Sequence, residues 1–183
     1  MPYCERCNRL GAAPRIIFVN GRCKQALGTG IKMKILLVGG GGREHALAWS
    51  IAASALVEEL VIAPGSDAMA AFGRCVACAV DNIDGLTDLA REMAADLVVI
   101  GPEVPLVLGL ADKLAALGIA AFGPSKVAAQ LEGSKAFARE VCARHNIPQP
   151  GFHTVTSPED ANRYIDAFGG FCVVKADGLA AGK

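Results

Sequence analysis

Long apolar runs, aromatic residues and an excess of charge are all scarce in this sequence of 183 residues. No apolar run reaches the roughly 18 residues that a transmembrane helix needs, so no membrane span is expected. Aromatic residues make up 5% of the chain and its net charge is zero, which removes any bulk attraction to nucleic acid or to a membrane surface. We therefore expect neither a nucleic-acid partner nor a membrane partner.

The cysteine and histidine patterns support neither a disulfide framework nor a metal site. The seven cysteines are odd in number and follow no secretory signal. Two C-x-x-C pairs, Cys4 with Cys7 and Cys75 with Cys78, lie much further apart than the roughly 15–20 residues of a zinc ribbon. The three histidines are too scattered to indicate a metal site or a catalytic triad. We predict reduced thiols, a cytoplasmic protein and no metal ligand in this chain.

The first 32 residues differ from the rest of the chain. They carry six Lys or Arg residues and one acid, a charge of +5 that leaves −5 for residues 33–183. Four glycines and the lack of a sustained period predict an irregular basic extension outside the fold. A flexible tail, an organelle-targeting segment and a start assigned too early, with Met33 as the true start, remain open. We favour the early start, since the glycines oppose a targeting helix.

From Met33 onward, apolar strands alternate with helices. Strands are predicted at 34–38, 60–63, 76–80, 97–100 and 119–122, and helices at 43–54, 84–94 and 105–117. Asp84 is the expected N-cap of the second helix and Gly118 the end of the third. Because the strands are continuously apolar, we predict an α/β fold with a parallel sheet covered on both faces. Ligands of such sheets bind at the carboxyl ends of the strands.

A second unit is predicted from residue 134 to residue 183. Helices are expected at 134–145 and 157–168, and strands at 152–156 and 171–176. The segment that follows, Asp-Gly-Leu-Ala-Ala-Gly-Lys at 177–183, is rich in glycine and could cover a polyphosphate. Its spacing is not that of a Walker A loop. The domains are therefore expected at 33–133 and 134–183, with the second one truncated.

Two loops after strands are candidates for binding. Gly39–Gly42 with Arg43 joins a strand to a helix, where backbone N–H groups and the helix dipole favour an anion. A dinucleotide-binding loop would need a third glycine where Glu44 stands and an acid near Ala63, so a small phosphorylated ligand is favoured. A tight turn for helix packing is the plainer alternative.

The second loop, Gly101-Pro102-Glu103, directs a carboxylate outward from a strand end. It could accept hydrogen bonds from sugar hydroxyls or an amine, or it could simply stabilise a helix N-terminus. Two lysines, Lys135 at a helix start and Lys175 at the end of an apolar strand, could hold phosphates as point charges.

Five motifs in order resemble the phosphoribosylamine–glycine ligases, a family of ATP-grasp enzymes. They are GGGGREHALAW (39–49), APG (63–65), IGPEVPLVLGLAD (100–112), FGPSKVAAQLEGSKAFAR (122–139) and VVKADGLAAGK (173–183). The resemblance covers 33–183 and implies a Rossmann-like N-terminal domain, of the type that precedes ATP-grasp domains, followed by the truncated start of an ATP-grasp domain. It implies ATP-dependent joining of glycine to phosphoribosylamine through an acyl phosphate, giving glycinamide ribonucleotide.

The resemblance also implies which residues bind. On the ATP side it indicates Lys135, Lys175, Gly178, Gly182 and Lys183. On the phosphoribosylamine side it indicates Gly41, Gly42, Arg43, Glu44, His45, Gly101, Pro102 and Glu103. No catalytic residue is assigned.

The family's acidic Mg²⁺ ligands, adenine pocket and glycine site are expected beyond Lys183. These 183 residues alone are therefore expected to be an inactive fragment, and a monomer. A related ATP-grasp ligase acting on another carboxylate and a non-enzymatic nucleotide-binding module stay as alternatives.

Overall fold

A computed structural model describes residues 15–19, 22–26 and 32–179, in which the backbone forms seven strands. In chain order these are β1 Arg15–Val19, β2 Arg22–Ala26, β3 Met33–Gly39, β4 Val57–Pro64, β5 Arg74–Cys75, β6 Leu97–Ile100 and β7 Ala120–Phe122. The last five are parallel and lie in the order β5-β4-β3-β6-β7. The predicted α/β class with a parallel sheet is confirmed.

The order of the strands places a switch point beside β3. The chain moves from β3 outward to β4 and β5, then returns to add β6 and β7 on the other side. β3 and β6 are neighbours, and the connections that follow them run to opposite sides of the sheet, which leaves a crevice between the two loops. In open α/β sheets ligands bind in a crevice of this kind.

Helices cover both faces of the sheet. They are α1 Gly42–Ala52, a 3₁₀ helix Asp67–Ala71, α2 Ile83–Glu92, α3 Glu103–Leu108, α4 Leu110–Ala116, α5 Lys126–Gly133, α6 Lys135–Arg144 and α7 Pro158–Ala167. Leu36 and Val38 of β3 pack in a buried cluster with residues of α2 and α4. Ile35 and Leu37 pack on the other face, with residues of α1 and the 3₁₀ helix. Successive β3 side chains are buried on opposite faces, which explains the continuously apolar sequence.

Two helix predictions in the sheet domain need correction. Asn82, and not Asp84, caps α2: its side chain accepts a hydrogen bond from Gly85 N at 3.0 Å. The helix expected to run unbroken from 105 to 117 is two helices, α3 and α4. Gly109 separates them with φ +97°, a left-handed conformation that glycine adopts without a Cβ penalty.

Beyond the sheet, the predicted helices are found and the predicted strands are not. Ser157 caps α7 through its hydroxyl, as expected, and Ser134, which was expected inside its helix, caps α6 in the same way. Helix α5 was not predicted. Segments 152–156 and 171–176 form no strand, because a strand requires a neighbour for its ladder hydrogen bonds and the described residues provide none there. The weak strand expected at 76–80 does not form, and the short β5 lies just before it at Arg74–Cys75.

The extension at 1–32 is not irregular throughout. Strands β1 and β2 pair antiparallel, with Val19 opposite Arg22. The intervening dipeptide, Asn-Gly, is a strong hairpin signal in the sequence. It is not periodic, so helical and strand periodicity does not reveal it. That the extension lies outside the fold stays a prediction. Within the described ranges, every helix is too short or too polar to cross a membrane.

Candidate functional site

Three loops meet at the carboxyl edge of the sheet. Gly65, which follows β4, donates its N–H to the carbonyl oxygen of Gly39 at 3.2 Å. A Cβ atom on Gly40 would lie 2.5 Å from the Gly65 carbonyl oxygen, so the two loops touch backbone to backbone. The loop after β6 approaches from the other side, through Gly101. The APG, GGGG and GPE motifs of the sequence are thereby brought together.

Glu44 occupies the gap between the ends of β3 and β6. Its exposure is only 4%. A Cβ atom on Gly101 would lie 2.4 Å from Glu44 Oε1, and one on Gly39 would lie 2.5 Å from Glu44 Cγ. Gly39 also has φ +126°, which favours glycine independently. The two glycines thus leave a space that the glutamate side chain fills.

The carboxylate of Glu44 contacts its own loop. Oε2 accepts a hydrogen bond from Gly41 N at 2.9 Å, as in the second half of a capping box. Oε1 forms an ion pair with Arg43 Nε at 3.2 Å. Glu44 therefore contacts the backbone and the arginine of its own loop, and its buried Oε1, although 3.2 Å from Arg43 Nε, accepts no hydrogen bond among the described residues.

Arg43 connects the loop after β3 with the loop after β6. Its Nη1 and Nη2 both donate to Glu103 Oε1, at 3.1 and 3.0 Å. The hydrogen bond to Glu103 and the charge of Glu103 raise the pKa of Arg43. The pKa of Glu103 is lowered, first by a hydrogen bond from its own backbone N–H and next by the bond from Arg43. Both groups stay charged at neutral pH, and both reach solvent, with side-chain exposures of 59% and 34%.

The remaining residues predicted on this side have backbone or packing positions. Gly42 is the first residue of α1, and a Cβ atom there would meet nothing within 4 Å, so the space beside this residue is open. Pro102 is the N-cap of α3. His45 packs edge-on against Phe72, with ring centroids 5.2 Å apart.

A second cluster joins Lys135 to the loop at 177–178. Lys135 Nζ donates to the Gly178 carbonyl oxygen at 2.6 Å. Asp177 Oδ1 accepts from the backbone N–H groups of Lys135 and Ala136, at 2.6 and 3.3 Å. Its Oδ2 accepts from the Ser134 hydroxyl at 3.0 Å. The start of α6 and the start of the glycine-rich segment are therefore held together.

The other ATP-side predictions stand apart from this cluster or lie outside the described residues. Lys175 is exposed. Gly182 and Lys183 fall outside the part of the chain that the structure describes. Sequence reasoning did not select Asp177 or Ser134, because their contact spans more than forty residues. The Asp-Gly dipeptide at 177–178 was visible in the motif, but no local pattern shows which helix an aspartate will cap.

The fold and the two clusters define a class of protein. An open parallel sheet, a glycine-rich loop and a crevice at the switch point form a Rossmann-like domain, and the lysine-bearing helix that follows begins a second unit. Family comparison makes this specific: the chain belongs to the phosphoribosylglycinamide synthetase family. The model of its N domain matches residues 33–132, and that of its ATP-grasp (A) domain matches residues 133–183.

Relatives with known names agree with this assignment. The chain is 54% identical over 151 residues to the phosphoribosylamine–glycine ligase of Agrobacterium fabrum, a match covering 82% of the chain and 36% of the relative. It is also 54% identical over 153 residues to the ligase of Xanthomonas campestris pv. campestris, with the same coverage. A crystal structure of the Thermotoga maritima ligase is similar, with a TM-score of 0.63, 27% identity, and coverage of 82% of this chain and 34% of that one. The chain thus spans little more than a third of these relatives.

Proposed function

We propose that residues 33–183 contribute the phosphoribosylamine side, and part of the ATP side, of a ligase that joins glycine to 5-phosphoribosylamine through glycyl phosphate. The observation that carries the proposal is the Arg43–Glu103 bridge across the switch-point crevice. It stands in a chain whose named relatives are such ligases. The products of the reaction would be glycinamide ribonucleotide, ADP and phosphate.

The residues of the crevice suit a phosphorylated amino sugar. The amino end of α1, at Gly42 and Arg43, favours the phosphate by its N–H groups and dipole. Glu103 presents an ionised carboxylate beside it, an acceptor for ribose hydroxyls and a counter-charge for an amine. Gly41, Gly101 and Pro102 are proposed to line the same crevice. Holding the amine in place would supply the catalysis, since proximity and orientation account for much of a ligation barrier.

ATP is proposed to bind along α6. Lys135 carries an ammonium beside the glycine-rich segment that begins at Gly178, an arrangement that fits a polyphosphate. Lys175, Gly182 and Lys183 are proposed to contact the same nucleotide. Within the described residues no group of three His, Cys, Asp or Glu side chains could hold a metal ion, so no step is assigned to Mg²⁺ here. Mg²⁺ ligands are proposed in segments that the longer relatives have in addition, and a monomeric, cytoplasmic protein remains the expectation.

A chimera tests the proposal directly. Residues 33–183 of this chain would replace the matching part of the Agrobacterium fabrum relative, and turnover would be measured with ATP, glycine and phosphoribosylamine. We expect turnover, a raised KM for phosphoribosylamine with Glu103→Gln, and a raised KM for ATP with Lys135→Met. Lys113→Met, which changes an exposed lysine paired with Asp84, is the matched control and should leave both unchanged.

Two outcomes would count against the proposal. A folded chimera without turnover, beside an active parent, would contradict the assigned reaction. Retained ATP binding in that chimera would then favour a nucleotide-binding module. The 183-residue chain alone is proposed to give no turnover, and steady-state activity from it would refute that part.

A further inference from the structure

We propose that Glu44 is a positioning residue, which fixes Arg43 for the ligand and adapts the loop to a sugar monophosphate in preference to a dinucleotide. This inference rests on the proposed function, and it deepens that function by naming what sets the ligand class. Glu44 itself, with 4% exposure, touches no ligand. It acts through the two groups that its carboxylate contacts.

The first group is the guanidinium of Arg43, which is held at both ends. Glu44 Oε1 lies 3.2 Å from Nε on the buried side and forms an ion pair with it, without a hydrogen bond. Glu103 Oε1 binds Nη1 and Nη2 from the open side. An arginine fixed before the ligand arrives loses less side-chain entropy on binding, so the same contact contributes more to affinity. The side chain is nevertheless 59% exposed, which leaves it accessible to a ligand.

The second group is the backbone N–H of Gly41. A dinucleotide-binding loop uses such N–H groups, together with a close helix, to hold a pyrophosphate. Here the Gly41 N–H is donated to Glu44 Oε2 at 2.9 Å and is no longer available to a ligand. The loop then carries one cation, Arg43, between two carboxylates. A pyrophosphate would lose one of the backbone donors that hold it in a dinucleotide-binding loop, whereas a sugar monophosphate can bind Arg43 while its hydroxyls or amine face Glu103.

The space that Glu44 fills makes this arrangement specific. Gly39 and Gly101 come from neighbouring strands, and a Cβ atom at either would overlap the Glu44 side chain. Any residue other than glycine at these positions would expel the carboxylate. Two separate strands are therefore adapted to one buried glutamate.

Glu44→Gln in the full 183-residue chain is the test, with ribose 5-phosphate as the probe. The glutamine keeps the volume and an acceptor for Gly41 N, but it loses the charge facing Arg43. We expect Kd for ribose 5-phosphate to rise about tenfold. The Arg43 Nε–H resonance in ¹⁵N NMR should lose its protection from solvent exchange, an effect that a purely structural role would not produce.

Asp96→Asn is the matched control. Asp96 is also a partly buried carboxylate that accepts a backbone N–H, from Lys34 at 3.0 Å, at the opposite end of β3. It should leave both Kd and the Arg43 signal within twofold of wild type. If Glu44→Gln does not fold, solvent exchange in the wild-type chain tests the proposal. The Nε–H of Arg43 should exchange more slowly than the Nε–H of Arg163, whose side chain is 69% exposed. Equal exchange rates would overturn the proposal.

The remaining outcomes separate this inference from the function on which it rests. If wild type binds ribose 5-phosphate and folded Glu44→Gln binds it within twofold as tightly, the positioning role is wrong and the proposed site stands. If wild type does not bind ribose 5-phosphate, the proposed phosphoribosylamine site is wrong and the positioning role is wrong with it.

Discussion

Arg43 and Glu103 join two loops that leave neighbouring strands at the switch point. Both terminal nitrogens of the arginine donate to the same carboxylate oxygen, at 3.1 and 3.0 Å. The pair is partly exposed, so water and salt weaken it. Its importance therefore lies in geometry more than in stability, and this distinction can be measured.

A double-mutant cycle on Arg43→Ala and Glu103→Gln should show a weak coupling in stability. Exposed ion pairs contribute about 0.2–1 kcal/mol, and the side-chain exposure of Arg43 is 59%. Urea denaturation of the two single variants and the double variant gives the coupling energy. A coupling above about 3 kcal/mol would show that the bridge holds the fold together, contrary to this prediction.

Gly101→Ala should destabilise the protein by about 1–3 kcal/mol, the usual cost of overpacking a buried site. The added Cβ would lie 2.4 Å from Glu44 Oε1, so the buried glutamate would have to shift. Gly42→Ala is the control, because a Cβ there meets nothing within 4 Å. Gly42→Ala should leave the free energy of unfolding unchanged. Urea midpoints that fall equally for both variants would contradict the inference that Gly101 leaves space for the Glu44 side chain.

Ser134→Ala should raise the pKa of Asp177 toward its ordinary 3.8. The hydrogen bond from Ser134 is the largest cause of the lowered pKa, ahead of the backbone N–H of Ala136. A lowered pKa stabilises the fold above the unfolded value of 3.8 and loses that contribution as pH falls through the folded value. The stabilisation from the Ser134–Asp177 hydrogen bond should therefore be fully present at neutral pH and be lost only in acid.

A ¹³C NMR titration of the Asp177 carboxyl group checks this shift. Ser157→Ala is the matched control: it removes the same kind of cap, from α7, where Ser157 Oγ accepts from Asp160 N at 3.1 Å. It should leave the Asp177 titration unchanged. An Asp177 titration that is the same in wild type and Ser134→Ala would disprove the contact.

Asn82→Ala should cost about 1 kcal/mol, the usual effect of losing an N-cap. Asp84→Ala should cost less, because Asp84 lies inside α2 and its partner is the exposed Lys113. Thermal unfolding of the two variants compares the structural cap with the one that the sequence suggested. The reverse order of stabilities would restore Asp84 as the cap.

Much of the sheet could be predicted because the apolar composition of a strand directly indicates that both of its faces are buried. The run from Ile35 to Val38 is apolar on every residue, as expected for a strand covered on both faces, and glycines mark where β3 and β6 end. Helix α5 was not predicted although Ser125 caps it and Val127 and Leu131 have helical spacing, because two large apolar residues in eight make a weak pattern. Segment 171–176 has the composition of a strand, but composition cannot supply a neighbour for its hydrogen bonds.

The sequence by itself determined the alternation of strands and helices in the parallel sheet and the family to which the chain belongs, and it indicated candidate loops for a ligand. Periodicity and glycine placement are local properties, so they can be seen in one dimension. Only the tertiary structure showed where Glu44 lies, buried between the ends of β3 and β6. In the sequence Glu44 breaks a dinucleotide pattern and belongs to a motif that resembles a substrate loop. Its burial depends on Gly101, which the parallel pairing of β3 with β6 places against it, and that pairing is formed by contacts between distant parts of the chain.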